Sequence, residues 1–530
     1  MSLEDNSSVI GEGDLAQAPT EAVAAEPAPP KDYMRAKGPA IVLKDALVYL
    51  IGQATRNIIS FVMLPVYMHL IRSSEYGAYE LMNRGGTFVS IFIALAIPRA
   101  MMRIYALRDE REYKNAVVST ALIFSGFWGL LLAGVCMIAS GPLSQALTKK
   151  AGYDTLFALI MLSAWLDAGI QIPLSHMRAK GQSLWFAATS IARLIVGVGL
   201  NIYLVVVLRL GVAGIVYTTS IVAGAFWLLL VIKTFRETGL KVSREALVPM
   251  LRFGIPLAMG GIPLFVLHFG DRFFLARYCS MAAVGTYAVG YRLGMLVGVL
   301  VNDPFGLAYE PYSYAIEKRP DAKRIYSRVM TYYALAGLLV FVALSVFSRD
   351  IIRLGRAPDY YEAQWVVPWV ALGYVFYGVS NTARLGLMLS GRTGLTLPLN
   401  AAAAAANIGL NFALVPRFGI IGAAMATTFS FALLAIISYV VSYRVYPIPC
   451  EPIRLAKAAG VAVAVVALAV LFPPKLLALR LFTAAAATGA FPALLLLIGF
   501  FHKDEMATLR RVLSRRLGIW KSKAGEVIGA

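Results

Sequence analysis

GTYAVGYRLG (residues 285–294) sets an arginine, Arg292, inside a long apolar run, and its frame occurs once before. GAYELMNR (residues 77–84) carries Gly, Tyr and Arg at the same spacing. Placing a cation at mid-bilayer costs at least about 2.5–3.5 kcal/mol on insertion scales. A chain that does so twice, in the same frame, points to a duplicated unit with a polar interior.

Composition sets the class around this stretch. Of 530 residues, 59% are hydrophobic and 15% charged, whereas a soluble chain carries about 25% charged residues. Apolar runs long enough to cross roughly 30 Å of hydrocarbon recur from about residue 45 to about residue 500. They are continuous and do not alternate with period two, which excludes a barrel. The expectation is an all-α polytopic membrane protein with about 14 transmembrane helices. The predicted spans are 45–70, 80–106, 114–140, 155–177, 184–208, 212–233, 248–277, 284–311, 326–347, 364–388, 395–416, 420–443, 454–472 and 476–500.

With a cytoplasmic N-terminus, inner loops and tails hold about 31 Lys and Arg and outer loops about 11, which puts both termini inside. The net charge of +20 then belongs to loops facing anionic lipid, and no nucleic-acid partner is expected, because no soluble domain is large enough to hold one. Residues 1–44 read as a disordered cytoplasmic tail, without a basic start and apolar core. Residues 503–530 read as a basic amphipathic tail at the interface, with Leu509, Leu513, Leu517 and Trp520 on one face. Three well-separated cysteines and four histidines without ligand spacing predict no disulfide and no metal site.

The echo has a fixed period. Gly77/Gly285, Tyr79/Tyr287, Arg84/Arg292, Gly211/Gly419, Gly214/Gly422 and Thr219/Thr427 are each 208 positions apart, while Gly181/Gly391 and Asn201/Asn411 are 210 apart. Two residues gained by the second copy before Gly391 and a two-residue shortening of its turn between Asn411 and Gly419 reconcile the offsets. Spans 1–6 (residues 45–240) and 7–12 (residues 241–446) therefore read as two pseudo-symmetric six-helix lobes. Spans 13 and 14 (residues 447–502) follow them. An even number of spans per copy sets the pseudo-twofold along the membrane normal, with a site expected between the halves.

Seven arginines fall inside these spans: Arg56, Arg84, Arg99, Arg193, Arg272, Arg292 and Arg384. The intramembrane acids are Asp167, Asp271 and Asp303, with Glu80 and Glu310 nearer span ends. A surplus of buried cation implies an anionic ligand. Arg56, Arg84, Arg193 and Arg292 are the candidates for holding it. Asp167, Asp271 and Asp303 are candidates for ion coupling. Tyr374, Tyr377 and Asn381 share one face of span 10 and are candidates for ligand contact by stacking and hydrogen bonding. Arg99 and Arg384 read as snorkelling residues. On an ideal helix Arg292, Asp303 and Glu310 form one stripe of span 8, while Gly290, Gly294 and Gly298 form a packing face.

The segment RFGIPLAMGGIPLFVLHFGDRFFLARYCSMAAVGTYAVGYR (252–292), with Asp271 late in span 7 and the Gly285–Tyr287 turn, resembles the start of the second half in bacterial polysaccharide-exporter flippases. This family belongs to the MATE-like exporter superfamily. EYGAYELMNR (75–84) is its first-half counterpart, and the likeness extends over about residues 42–500. The resemblance implies a V-shaped alternating-access flippase of the bacterial inner membrane. Its substrate would be an undecaprenyl-pyrophosphate-linked oligosaccharide, turned from the cytoplasmic to the periplasmic leaflet, with Tyr374, Tyr377 and Asn381 as candidates for sugar contact. It implies no cofactor, H+ or Na+ as coupling ion, membrane lipids as surroundings and a polysaccharide polymerase as partner. The alternative is a MATE-like exporter of organic cations, which would want surplus lumenal carboxylate. An enzyme is disfavoured: no outer loop exceeds about 15 residues, and no acid/base carboxylate pair stands out.

Overall fold

The computed structural model describes residues 63–502, 505 and 506, and among them it contains helices and turns but no strand. The helices are α1 (Leu64–Leu70), α2 (Ser73–Ala94), α3 (Ile97–Tyr105), α4 (Arg111–Ile138), α5 (Ser140–Thr148), α6 (Asp154–Ala179), α7 (Ser183–Asn201), α8 (Gly211–Thr238), α9 (Arg244–Phe269), α10 (Asp271–Tyr278), α11 (Met281–Gly294), α12 (Asp303–Ile316), α13 (Ala322–Leu354), α14 (Val366–Ala383), α15 (Leu385–Leu389), α16 (Thr396–Val445), α17 (Pro452–Leu471) and α18 (Leu477–Leu497). Eleven helical stretches among the described residues are long and apolar enough to span a membrane. One of the eleven holds both expected spans 11 and 12, because α16 runs through a kink at Gly419. The first expected span lies mostly outside the described residues. The chain is thus a multi-pass helical membrane protein, and the exact count of fourteen stays an expectation.

Breaks inside the expected spans are set by local chemistry. The second span is two helices: it begins at Ser73 and breaks at Leu95–Ala96, both with positive φ. A left-handed residue with a Cβ costs roughly 1–2 kcal/mol, so packing has to hold it. Pro98 requires a fresh helix start just beyond the break. Gly254 of α9 receives the Leu95 carbonyl so closely that a Cβ there would clash with it. Helix α9 carries Pro249, Pro256 and Pro263, and each removes one backbone hydrogen bond. The first part of α9 packs on α3 and α4, and α9 and α10 also pack on α16, so this span joins the two halves.

The eighth span departs from an ideal helix. Between α11 and α12 lies a π-helical turn, Gly298–Asn302, with Pro304 just after it. The wider turn shifts the register, so the expected stripe through Arg292, Asp303 and Glu310 does not form. The glycine face does form: Gly290 meets Val366, Gly294 meets Val370 and Gly298 meets Tyr374, all on α14.

The duplication is visible as repeated geometry. Gly181 and Gly391 both take positive φ, at 69° and 70°, and so do Gly211 and Gly419, at 56° and 55°. Gly214 packs on the Leu204 backbone as Gly422 packs on Leu414. The two extra residues of the first copy lie in this turn, taken up by the π-helical Ile202–Val207 and a left-handed Arg209. Helices α17 and α18 pack on α13, outside the two repeats. Ile453, Leu468, Leu471, Phe472 and Leu497 point outward, as expected of helices facing acyl chains.

Candidate functional site

The two halves meet where the duplicated stretch begins. A Cβ at Gly77 would strike the Met281 carbonyl, and a Cβ at Gly285 would strike the Ser73 carbonyl. Ser73 and Met281 are themselves 208 positions apart, so the contact is reciprocal and the pseudo-twofold passes between α2 and α11. Backbones approach this closely only where both helices present glycine. Thr286 and Tyr360 tie the same end together, donating to the carbonyls of Asp359 at 3.0 Å and Ile71 at 2.9 Å.

This crossing brings the charged side chains of both helices to one place. Glu80 sits one turn beyond Gly77 and is fully buried, at 0% exposure. Arg84 Nε donates to Glu80 Oε1 at 2.7 Å, and Arg292 Nη2 lies 3.4 Å from Glu80 Oε2. Arg272, from α10, lies 3.8 Å from Glu80 Oε1 and binds Asp271 Oδ1 at 2.6 Å. Asp271 also accepts from the hydroxyls of Tyr287 and, at 3.2 Å, Thr427. Aromatic faces complete the enclosure: Arg84 lies 4.3 Å over Phe269, Arg272 3.9 Å over Tyr291 and Arg292 5.5 Å over Tyr76. Three guanidinium groups thus face two carboxylates, which leaves one positive charge. The Arg84 and Arg292 side chains each keep 16% exposure, so the surplus is reachable.

The expected site residues divide into those gathered here and those held elsewhere. Arg84 and Arg292 come together on one shared carboxylate. Arg56 lies outside the described residues. Arg193 is not part of the cluster: it is ion-paired with Asp167 between α7 and α6. Asp271 belongs to the cluster as the buried partner of Arg272. Asp303 is exposed at the start of α12, within electrostatic reach of Tyr333 and Tyr377 rather than of Arg292.

Two side chains require correction. Tyr374 is buried at 5% exposure, and its hydroxyl meets His268 Nδ1 at 3.1 Å and Tyr291 at 3.2 Å. No sugar reaches that ring in this conformation, whereas Tyr377 is half-buried and Asn381 exposed on the same helix. Arg384 does not snorkel. It is buried inside the second lobe, donating to Ser438 at 3.1 Å and Asn400 at 2.7 Å. The outward-facing Arg99 is exposed, as a snorkelling residue would be.

Glu80 and Arg272 are the members of the cluster that the sequence reading left out. The signal for Glu80 was present: it stands four residues before Arg84, the spacing of a helical ion pair. Arg272 directly follows Asp271, and no helical spacing in the sequence ties it to Glu80.

A family profile described as polysaccharide biosynthesis protein matches residues 42–317. An Lsg locus protein of Haemophilus influenzae is 23% identical over 287 residues, 52% of this chain and 67% of that relative. Among solved structures, the lipid II flippase MurJ in an inward closed conformation superposes with a TM-score of 0.68 at 14% identity, covering 84% of this chain and 98% of MurJ. An inward-facing multidrug resistance MATE family transporter superposes at 0.57 with 17% identity, covering 74% and 97%. At these identities the likeness is one of fold. The profile match covers more than half of the sequence, and the chain belongs to the polysaccharide biosynthesis protein family.

Proposed function

We propose that the chain is a flippase that carries an undecaprenyl-pyrophosphate-linked oligosaccharide across the bacterial inner membrane by alternating access. The observation that carries this reading is the cation surplus at Glu80, built from both halves of the molecule, with Arg84 and Arg292 partly exposed. A pyrophosphate meets guanidinium groups through paired, charge-assisted hydrogen bonds, and the aromatic rings around them keep the field strong by excluding water. Family membership and the fold shared with a lipid II flippase support a lipid-linked cargo. The charge count opposes an organic cation, which would want the reverse balance.

In this reading Arg84 and Arg292 hold the pyrophosphate, with Arg56 as a further cation and Arg193 outside the first contacts. Tyr377 and Asn381 contact sugars. Transport is coupled to an H+ or Na+ gradient, with Asp271 and Asp303 as the coupling carboxylates and Asp167 held by Arg193. Binding drives the change of state only as far as the two states differ in affinity for the cargo. Arg84→Ala and Arg292→Ala are scored by surface polysaccharide at equal expression. Both are expected to lose most of the output. Full output from both variants would refute the anion site.

A further inference from the structure

We infer that the two halves are clasped, at the end where α2 crosses α11, by a reciprocal pair of straps, and that release of the straps opens this end. One strap is the α5–α6 connection of the first half, the other the α13–α14 connection of the second. Each bonds to the last backbone carbonyls of a helix in the opposite half. Lys149, which caps α5, extends its ammonium to the carbonyls of Ala276 at 2.8 Å and Arg277 at 3.5 Å, in the last turn of α10. Tyr360, in the short 3-10 helix Pro358–Trp365, donates its hydroxyl at 2.9 Å to the carbonyl of Ile71, which caps α1.

The repeat relates the two contacts. Leu70 and Tyr278, the last residues of α1 and α10, are 208 positions apart, and so are Tyr153 and Tyr361 in the two straps. Both straps leave their helix through a left-handed residue that has a Cβ, Lys149 at φ 57° and Arg356 at φ 49°. That conformation persists only where contacts hold it. Around the first strap α5 packs against α10. Around the second, a Cβ at Gly355 would lie 3.0 Å from the Met68 side chain, and the Tyr76 and Tyr360 rings meet edge to face at 6.3 Å.

Bonds of this kind hold a state without making it permanent. Both targets are main-chain carbonyls that a helix end leaves without a partner, and both can return to water when the halves part. Lys149 is exposed, so its bond adds a small term, a cation against the negative end of a helix. Tyr360 is buried, at 1% exposure, and a buried hydroxyl that loses its acceptor is unfavourable until water reaches it. The consequence for transport rests on the alternating-access reading: cargo passes this end only after both straps let go.

The test is double electron–electron resonance on the purified full chain, with Cys136, Cys279 and Cys450 changed to Ser. Nitroxides are placed at Asp154→Cys and Glu362→Cys, exposed positions beside the two straps that are themselves 208 apart. The parent is expected to give mainly the short distance. In Lys149→Met/Tyr360→Phe the ratio of long to short distances is expected to rise roughly tenfold, whereas Lys149→Arg, which keeps a donor and a charge, matches the parent. Should the double variant unfold, Lys149→Met alone, at an exposed side chain, is expected to give a roughly threefold rise. A parent-like distribution in the folded variants would overturn the clasp. Binding of undecaprenyl pyrophosphate is measured separately on the same proteins. Longer distances in a chain that binds none would keep the clasp and remove the proposed cargo.

Discussion

Glu80 has no counterpart in the second half, where the equivalent position is Ala288. The duplication therefore supplies two arginines and only one acid between them, and that asymmetry creates the surplus charge. It also makes Glu80 the residue on which the cluster depends. At an effective dielectric near 20, unit charges about 4 Å apart interact by about 4 kcal/mol, so uncompensated guanidinium groups strongly repel. Glu80→Gln is expected to lower stability by about 3–5 kcal/mol, as when one member of a buried ion pair is removed. Thermal unfolding in detergent reads this, and an unchanged midpoint would show that the carboxylate is dispensable. The same logic separates structure from coupling at Asp271. Asp271→Asn alone leaves Arg272 buried beside a weaker partner and is expected to destabilise. Asp271→Asn with Arg272→Gln is expected to recover most of the loss. If Asp271 couples transport, gradient dependence in proteoliposomes disappears in both variants, including the one whose stability recovers; retained dependence in the stable double variant removes Asp271 from that role.

At the scale of elements, α2 and α11 are held by a glycine contact that tolerates no side chain. Gly285→Leu is expected to part the two helices, since overpacking a close contact costs about 1–3 kcal/mol and shifts backbone. Ala288→Cys, at a fully buried position, reports on this: a maleimide is expected to label it in the Gly285→Leu background and not in the parent. Equal labelling would mean that the contact does not close this end. These glycines were legible in the sequence because their positions are imposed by backbone geometry, which a repeat preserves. Gly181/Gly391 and Gly211/Gly419 each keep one left-handed turn. Breaks made by other means were not legible. Leu95 and Ala96 adopt positive φ without glycine, and the π-helical turn in span 8 left no pattern to read. The missed turn misaligned Arg292 with Asp303, and the same register error hides any site argument that extends past such a turn.

For the whole molecule, the class was carried by composition and the pseudo-symmetry by the repeat, because both are properties of many residues at once. The charged cluster proposed as the anion site was only half legible. Arg84 and Arg292 could be named from their shared frame, but their meeting on one carboxylate required the crossing of the lobes. The proposed flippase function requires that meeting: cations from both halves would hold the phosphate groups of one cargo. Binding of undecaprenyl pyrophosphate to the purified protein, compared with the Arg84→Ala/Arg292→Ala variant at matched folding, tests it most directly. The account predicts an affinity loss of at least about tenfold, as expected for losing charge-assisted hydrogen bonds. Equal affinity in the two proteins would contradict it.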